Sequence, residues 1–480
     1  MSHKELGYDE LSVVMMLVTG NSIDDKFKLS HVCRSWRNVA LSTPRLWSCF
    51  AVRTAADVLR LPLVIKRASP RMSVPMDITL DFGARKVVHV EGQEVVVPLI
   101  DIDDRLAIYQ DLEPHMPFAQ RLCIKFGAKN PKVVANEPLS RLFTFATPAL
   151  EQIAVFYSTV RDRQAAEQPV LPNWETVISS TLETLYLRVS GLGPDMLVRI
   201  LATCPRLTHL TFLPICRNDF AFDTWQFNTK LQQLRSLHIG GPFANIWSTI
   251  SPMLCPEVLK SITVSIPKDS PVDIGAHIGQ SIFPDAWSPV SCAVSTLYWP
   301  FHPKVQKDIR FVDGAGKERH ILAVCPAPPC FGELWRSLVA KTNALDTIAS
   351  FALSAMPADW AEVSDAFHSD PPRHPAFQLR VPLRRRDAVQ FAAHWHLGML
   401  TCPTVQRVTF EMDDRHGLEL QIVLAIIDLI AHQNTTLCVV DAFAENPDRV
   451  WVSDWLVRLE EELSQRNGWA LCRHCADHIN

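Results

Sequence analysis

The chain has 480 residues, 48% of them hydrophobic and 20% charged, with 47 basic against 51 acidic side chains and a net charge of -4. That composition suits a folded protein of two or three domains or one elongated array, and its charge balance argues against a nucleic-acid or anionic-membrane binder. Thirteen scattered cysteines, acidic residues ahead of the short apolar run Val13 to Val18, and no apolar stretch of membrane length point to a reducing, cytoplasmic or nuclear setting.

Tyr8, Leu11, Val14, Met15 and Val18 fall on one helical stripe, which predicts a first helix. Val32, Cys33, Trp36, Val39 and Ala40, at offsets 0, 1, 4, 7 and 8, predict the buried face of another, with His31, Arg34, Arg37 and Asn38 opposite. Ser42 and Thr43 offer caps before Pro44, which suits the first turn of a further short helix carrying Leu46 and Trp47 onto the same core. A fragment of about 45 residues has too little core to stand alone, so it must lean on another surface.

The run Val32-Cys33-Arg34-Ser35-Trp36-Arg37 followed by Ser42-Thr43-Pro44-Arg45-Leu46-Trp47 resembles the F-box, a helical module that docks on the Skp-type adaptor of cullin-based ubiquitin ligases. The resemblance implies an adaptor-binding set of Leu11, Val32, Cys33, Trp36, Pro44, Leu46 and Trp47, with cullin reached through the adaptor. The family opens with Leu-Pro-x-Glu, whereas Leu6-Gly7-Tyr8-Asp9-Glu10-Leu11 lacks the proline. Two readings therefore stay open: a ligase subunit, or a protein-binding scaffold whose F-box has decayed.

Residues 55–68 read as a helix with Val58, Leu59, Leu61, Leu63, Val64 and Ile65 apolar and Pro62 interrupting it. Strands are expected at 76–80 and 122–126. From residue 148 a pattern recurs, with apolar residues at offsets 0, 3 and 5. Its members are Leu150, Ile153 and Val155; Leu182, Leu185 and Leu187; Leu207, Leu210 and Phe212; Leu234, Leu237 and Ile239; and Leu259, Ile262 and Val264. Val405, Val408 and Phe410 repeat it near the end. The leading leucines are 32, 25, 27 and 25 residues apart, around the ~20–29-residue period of leucine-rich repeats. Stripes at 194–204 and 246–254 predict helices between the strands.

This pattern resembles an irregular leucine-rich-repeat array, and together with the F-box it resembles the F-box proteins abundant in mushroom-forming fungi. The expected fold class is α/β, an N-terminal helical F-box followed by an irregular leucine-rich-repeat solenoid. The expected segments are 1–50 for the F-box-like module, 51–135 for a linker helix and first strand units, and 136–480 for the array. Within the array, 267–330 reads as an insertion, opening with a Pro-, Asp- and Ser-rich loop at 267–303. A hairpin follows across Asp313-Gly314-Ala315-Gly316-Lys317. The apolar run 422–430 reads as a buried helix. A terminal helix with Trp455, Leu456, Leu459 and Leu463 apolar, stopped by Asn467-Gly468, is expected to cap the array.

Several constellations imitate chemistry. Gly314-Ala315-Gly316-Lys317 lacks the four-residue spacer and the hydroxyl of a phosphate loop. Cys472, His474, Cys475 and His478 lack a second ligand pair presented from another turn. His394 and His396 diverge by about 200° on a helix, and Arg384-Arg385-Arg386 suits a solvated face. No nucleophile elbow, metalloprotease motif or dinucleotide fingerprint is present in the sequence. The chain is expected to be no enzyme and to use no cofactor or metal. Its contribution would be to hold an unidentified protein substrate near a conjugating enzyme.

Overall fold

The computed structural model describes residues 7–68, 74–90, 93–126, 142, 147–157, 181–189, 194–214, 230–241, 243–255, 257–266, 278, 281–283, 287–298, 305–325, 344–354, 373, 377–383, 405–412, 420–421, 423–424, 435–441, 450–465 and 469–471. The described elements mix helices with strands that are mainly parallel, giving an α/β protein. The chain separates into two compact units, 1–259 and 260–480.

Four helices open the first unit: α1 (Tyr8–Thr19), α2 (Ile23–Ser30), α3 (Arg34–Ser42) and α4 (Pro44–Ser48). The Gly7 N–H at the head of α1 donates to the Glu10 carboxylate at 2.9 Å. Gly20 ends the helix at φ +48, a conformation in which glycine carries no Cβ penalty. Ser22 caps α2 by accepting from the Asp25 N–H at 3.3 Å. The predicted stripe through Val32 and Cys33 needs correction, because α3 starts at Arg34 and Cys33 is extended at φ -156. The last turn of α2 closes through His31 and Val32, whose N–H groups donate to Lys28 and Leu29 at 3.0 and 3.3 Å. Only Val39 and Ala40 of that stripe are fully buried. Pro44 takes the first turn of α4 as expected. Thr43 caps nothing there, since its hydroxyl donates back to Val39 at 2.7 Å.

Strand β1 (Cys49–Val52) follows at once. Helix α5 (Ala55–Ala68) runs unbroken through Pro62, whose expected interruption is absent, and Thr54 and Asp57 cap it reciprocally. Next come β2 (Met76–Phe82), the hairpin β3 (Arg85–Val90) and β4 (Gln93–Pro98), α6 (Ile102–Leu112) and β5 (Ala119–Phe126). The unit continues with β6 (Gln152–Tyr157), β7 (Thr184–Arg188), α7 (Pro194–Ala202), β8 (His209–Phe212), β9 (Ser236–Gly240) and α8 (Phe243–Ile250). Its main sheet has the order β1-β2-β5-β6-β7-β8-β9, every neighbour parallel. The order never reverses, so each strand lies beside the one before it.

Register turns the 0, 3, 5 spacing into columns. Phe50, Ile78, Leu122, Ile153, Leu185, Leu210 and Leu237 are successive partners, as are Val52, Leu80, Ile124, Val155, Leu187, Phe212 and Ile239. All are buried, and so are the leading leucines 150, 182, 207, 234 and 259. The backbone repeats in step. The carbonyls of Glu151, Glu183 and Thr208 each accept two N–H groups from the next unit, at 2.8 to 3.0 Å.

The second unit begins with β10 (Ser261–Ile266). The Pro-, Asp- and Ser-rich stretch 267–303 has the composition of a loop, but β11 (Pro289–Tyr298) lies inside that range. With β12 (Val305–Asp313) and β13 (Glu318–Cys325) it forms an antiparallel meander. The meander enters the sheet backwards: β13 pairs parallel with β10, and β11 pairs parallel with β14 (Ser350–Ser354), which follows the short helix α9 (Ala344–Thr347). Three strands is an odd number, so the parallel sense survives. The hairpin turn is as expected, except that only Gly316 has positive φ, at +76; the Asp313 carboxylate accepts from the Ala315 and Lys317 N–H groups at 2.9 and 2.8 Å.

Parallel pairing continues through β15 (Phe377–Leu383), β16 (Val405–Met412), β17 (Thr435–Asp441) and β18 (Trp469–Leu471). Val408 and Phe410 pair with Leu437 and Val439. The expected terminal cap, α10 (Val450–Ser464), buries Leu459 and Leu463, but the chain then adds β18. Of the run 422–430, Val423 and Leu424 are described and buried.

Trp47 is wholly buried, and its indole N–H donates to the Ala40 carbonyl at 2.7 Å. Trp47→Ala should destabilise the first unit by about 3–5 kcal/mol, seen as an earlier urea transition in far-UV circular dichroism. Trp47→Phe should cost less, because the ring contact survives and the indole bond alone is lost.

Candidate protein-docking surface

The surface is built around a closed interior. Trp47 meets the Phe27 ring edge-on at 5.3 Å, and the Arg67 guanidinium lies 4.4 Å from the Trp47 ring centroid and 4.7 Å from that of Phe27. Such stacking is worth about 0.5–2 kcal/mol. Burial pushes the Arg67 pKa down, and the two ring faces supply the negative potential that compensates. Arg60 adds a second cation 5.3 Å from Phe27 and pairs with Asp24 at 2.7 Å. Leu11, Met15, Ile23, Val39, Ala40 and Leu46 complete the core.

The structure sorts the seven predicted residues into two groups. Leu11, Leu46 and Trp47 are inside, where they hold the helices to one another and offer no surface. Val32 is 59% exposed, Cys33 is exposed, and Trp36 and Pro44 are half-buried around the α2–α3 and α3–α4 corners. These four belong to one small module but come from different chain turns.

Sequence reasoning missed part of the exposed apolar face. Val13 and Val18 are about half and two-thirds exposed, and Leu17 is 79% exposed. The buried side of α1 is Leu11, Met15 and Thr19, so the expected stripe of Tyr8, Leu11, Val14, Met15 and Val18 is only partly inward. The signal was the run Leu11 to Val18, in which all but Ser12 are apolar, more than one buried face can use. Tyr8 shares a hydrogen bond with Ser42 beside the exposed Leu41, which links α1 to the end of α3. Leu59 and Leu63 of α5 also face outward.

The helices close one edge of the sheet. The Ala51 N–H of β1 donates to Asn21 at 2.7 Å, Ser22 bridges Ala51, and the Lys26 ammonium donates to the Cys49 carbonyl. Lys26 is fully buried, and burial pulls its pKa down to about 8. Burial raises the Cys49 thiol pKa at the same place.

Among the described residues no cluster of three metal-ligating side chains is present, and no helix is long and apolar enough to cross a membrane. Cys472, His474, Cys475, His478, His394, His396 and Arg384 to Arg386 lie outside the described residues. His320 bonds to Asp308 across β12 and β13, and Arg310 pairs with Glu318 across the same two strands. No protein-family model, curated protein or solved structure matches the chain.

Lys26 makes stability depend on pH. With a folded pKa of about 8 against an ordinary 10.5, the unfolded chain binds more protons between those values, so stability rises with pH across that window. Below about pH 8 both states are protonated and the cost of burying the charge is fully present. Lys26→Met removes this cost, so its stability relative to wild type should fall by about 1 kcal/mol from pH 8 to 9. Urea titrations of both proteins at each pH check this, and a pH-independent difference would contradict it.

Proposed function

We propose that the chain is the substrate-recognition subunit of a Skp-cullin-F-box ubiquitin ligase, working in the cytoplasm or nucleus. The observation that carries this reading is a helical module whose core is filled jointly with the start of the sheet and that still exposes Tyr8, Val13, Leu17, Val18, Val32 and Leu41. An apolar face of this kind is suited to a protein partner. In this reading Val32, Cys33, Trp36 and Pro44, with the outer side of α1, meet the Skp-type adaptor, while Leu11, Leu46 and Trp47 shape the corner. The adaptor links the assembly to cullin.

The α/β body is read as an irregular leucine-rich-repeat solenoid that presents the protein target. Support comes from the first unit: its unreversed parallel order, its apolar columns and its repeated two-donor carbonyls. The chain performs no bond chemistry in this scheme. It raises the effective concentration of a substrate lysine at the conjugating enzyme.

One observation favours the alternative, a repeat scaffold with a degenerate F-box and no link to ubiquitin. The Gly7 N–H is committed to Glu10, a bond that the proline heading the family's first helix cannot form.

Capture of the full-length chain by purified Skp-type adaptor separates the two. The first reading expects capture that falls at least about tenfold in Val32→Asp combined with Trp36→Ala, and in Leu17→Asp, with far-UV spectra unchanged. Failure of the wild-type chain to bind would put the scaffold reading in its place.

A further inference from the structure

The columns that bury one face of the first unit's sheet turn the alternate residues outward. On β5, β6 and β7 these include Cys123 and Lys125, Ala154 and Phe156, and Tyr186 and Arg188. Register places Lys125 beside Phe156 and Phe156 beside Arg188, while Cys123, Ala154 and Tyr186 form the neighbouring row. Phe156 and Tyr186 stack with centroids 4.4 Å apart and planes 30° apart. An aromatic pair on the outward face of a sheet, between two cations, does nothing for the core.

The local acids are already engaged. Asp77 pairs with Arg121 at 3.0 Å, Glu183 with Arg206 at 3.1 Å, and Glu151 accepts from Gln120 at 2.9 Å. Asp81 stands in register with Lys125, but its carboxylate accepts the Gly83 N–H at 3.1 Å. Lys125 and Arg188 have no ion-pair partner among the described residues. Each ring covers one face of the other and leaves its edge free, and ring edges carry the positive end of the quadrupole, which suits a carboxylate. A polyanion such as a nucleic acid is disfavoured by the chain's net charge of -4, whereas a short segment with two carboxylates matches the two cations.

We propose that the outward face of β5, β6 and β7 binds an extended acidic peptide segment, with two carboxylates at Lys125 and Arg188 and an apolar stretch across Phe156 and Tyr186. The cations are two strand spacings apart, about 10 Å. In the polyproline II form, with three residues per turn and a rise of about 3.1 Å per residue, side chains at i and i+3 share one side about 9 Å apart, so the acids belong at positions i and i+3. The proposal deepens the reading of the array as a substrate receptor and rests on it for biological meaning, but binding can be measured without any adaptor.

The test uses the full-length chain and a fluorescent peptide containing Glu-Val-Val-Glu, by anisotropy at low and moderate salt. Matched peptides carry Gln-Val-Val-Gln or Val-Glu-Glu-Val, and a labelled oligouridylate supplies the nucleic-acid arm. Saturable binding of Glu-Val-Val-Glu is expected, at least tenfold tighter than the glutamine peptide and weakened by salt. Lys125→Glu with Arg188→Glu should reduce it at least tenfold while leaving the thermal midpoint and the far-UV spectrum unchanged. No binding, equal binding of the glutamine peptide, tighter binding of oligouridylate, or full binding by the charge-reversed variant would overturn the proposal. Adaptor capture by the wild-type chain keeps the ligase reading separate: capture without peptide binding removes this inference alone, and peptide binding without capture removes the ligase reading alone.

Discussion

The first unit depends on the burial of Trp47. With Phe50 and Val52 it repeats the 0, 3, 5 spacing that governs the later strands, so it acts as the leading residue of the first strand unit while belonging to α4. Its indole bond to Ala40 and its contact with Phe27 tie α3 and α2 to the same ring. The helical module and the start of the sheet therefore share one core. A fragment of this size has too little interior of its own, and the strands supply what it lacks.

The same junction manages an edge. A strand ending a sheet exposes unpaired backbone groups that can recruit another chain. At β1 those groups are taken by Asn21, Ser22 and Lys26. An amine in that position loses hydration, which is why burial lowers its pKa. Arg319 in the second unit solves a similar problem: in an otherwise apolar row, its guanidinium donates to the Ile282 and Glu318 carbonyls at 3.0 and 2.9 Å and lies 5.5 Å from the Trp287 ring centroid.

Much of the first unit's sheet was legible, because parallel in-register pairing makes each strand repeat the demand of its neighbour. Leu185, Leu210 and Leu237 are one requirement written three times. The bounds of α5, the first turn at Pro44 and the turn at Asp313 were legible for local reasons. Val32 and Cys33 were not, since periodicity does not mark where one short helix stops and the next begins. The apolar residues of α1 were seen, but which of them a neighbour covers is decided by packing. Strand β11 was hidden by its proline-, aspartate- and serine-rich surroundings, although Cys292 and Val294 alternate with Ser291, Ala293 and Ser295 in the strand manner.

Strand parity also separates folding from recognition. A one-residue slip of β6 or β7 would carry Phe156 or Arg188 inward and expose the leucine, isoleucine or valine beside them. Burying a lone guanidinium costs several kcal/mol, and the two-donor carbonyls of Glu151 and Glu183 hold the backbone against such a slip. Register is thus locked from both faces. Outward positions are left with no duty in the core, so their charges and rings can change without unfolding the sheet that positions them. A surface selected for its partner can arise on this scaffold because the columns beneath it are already satisfied.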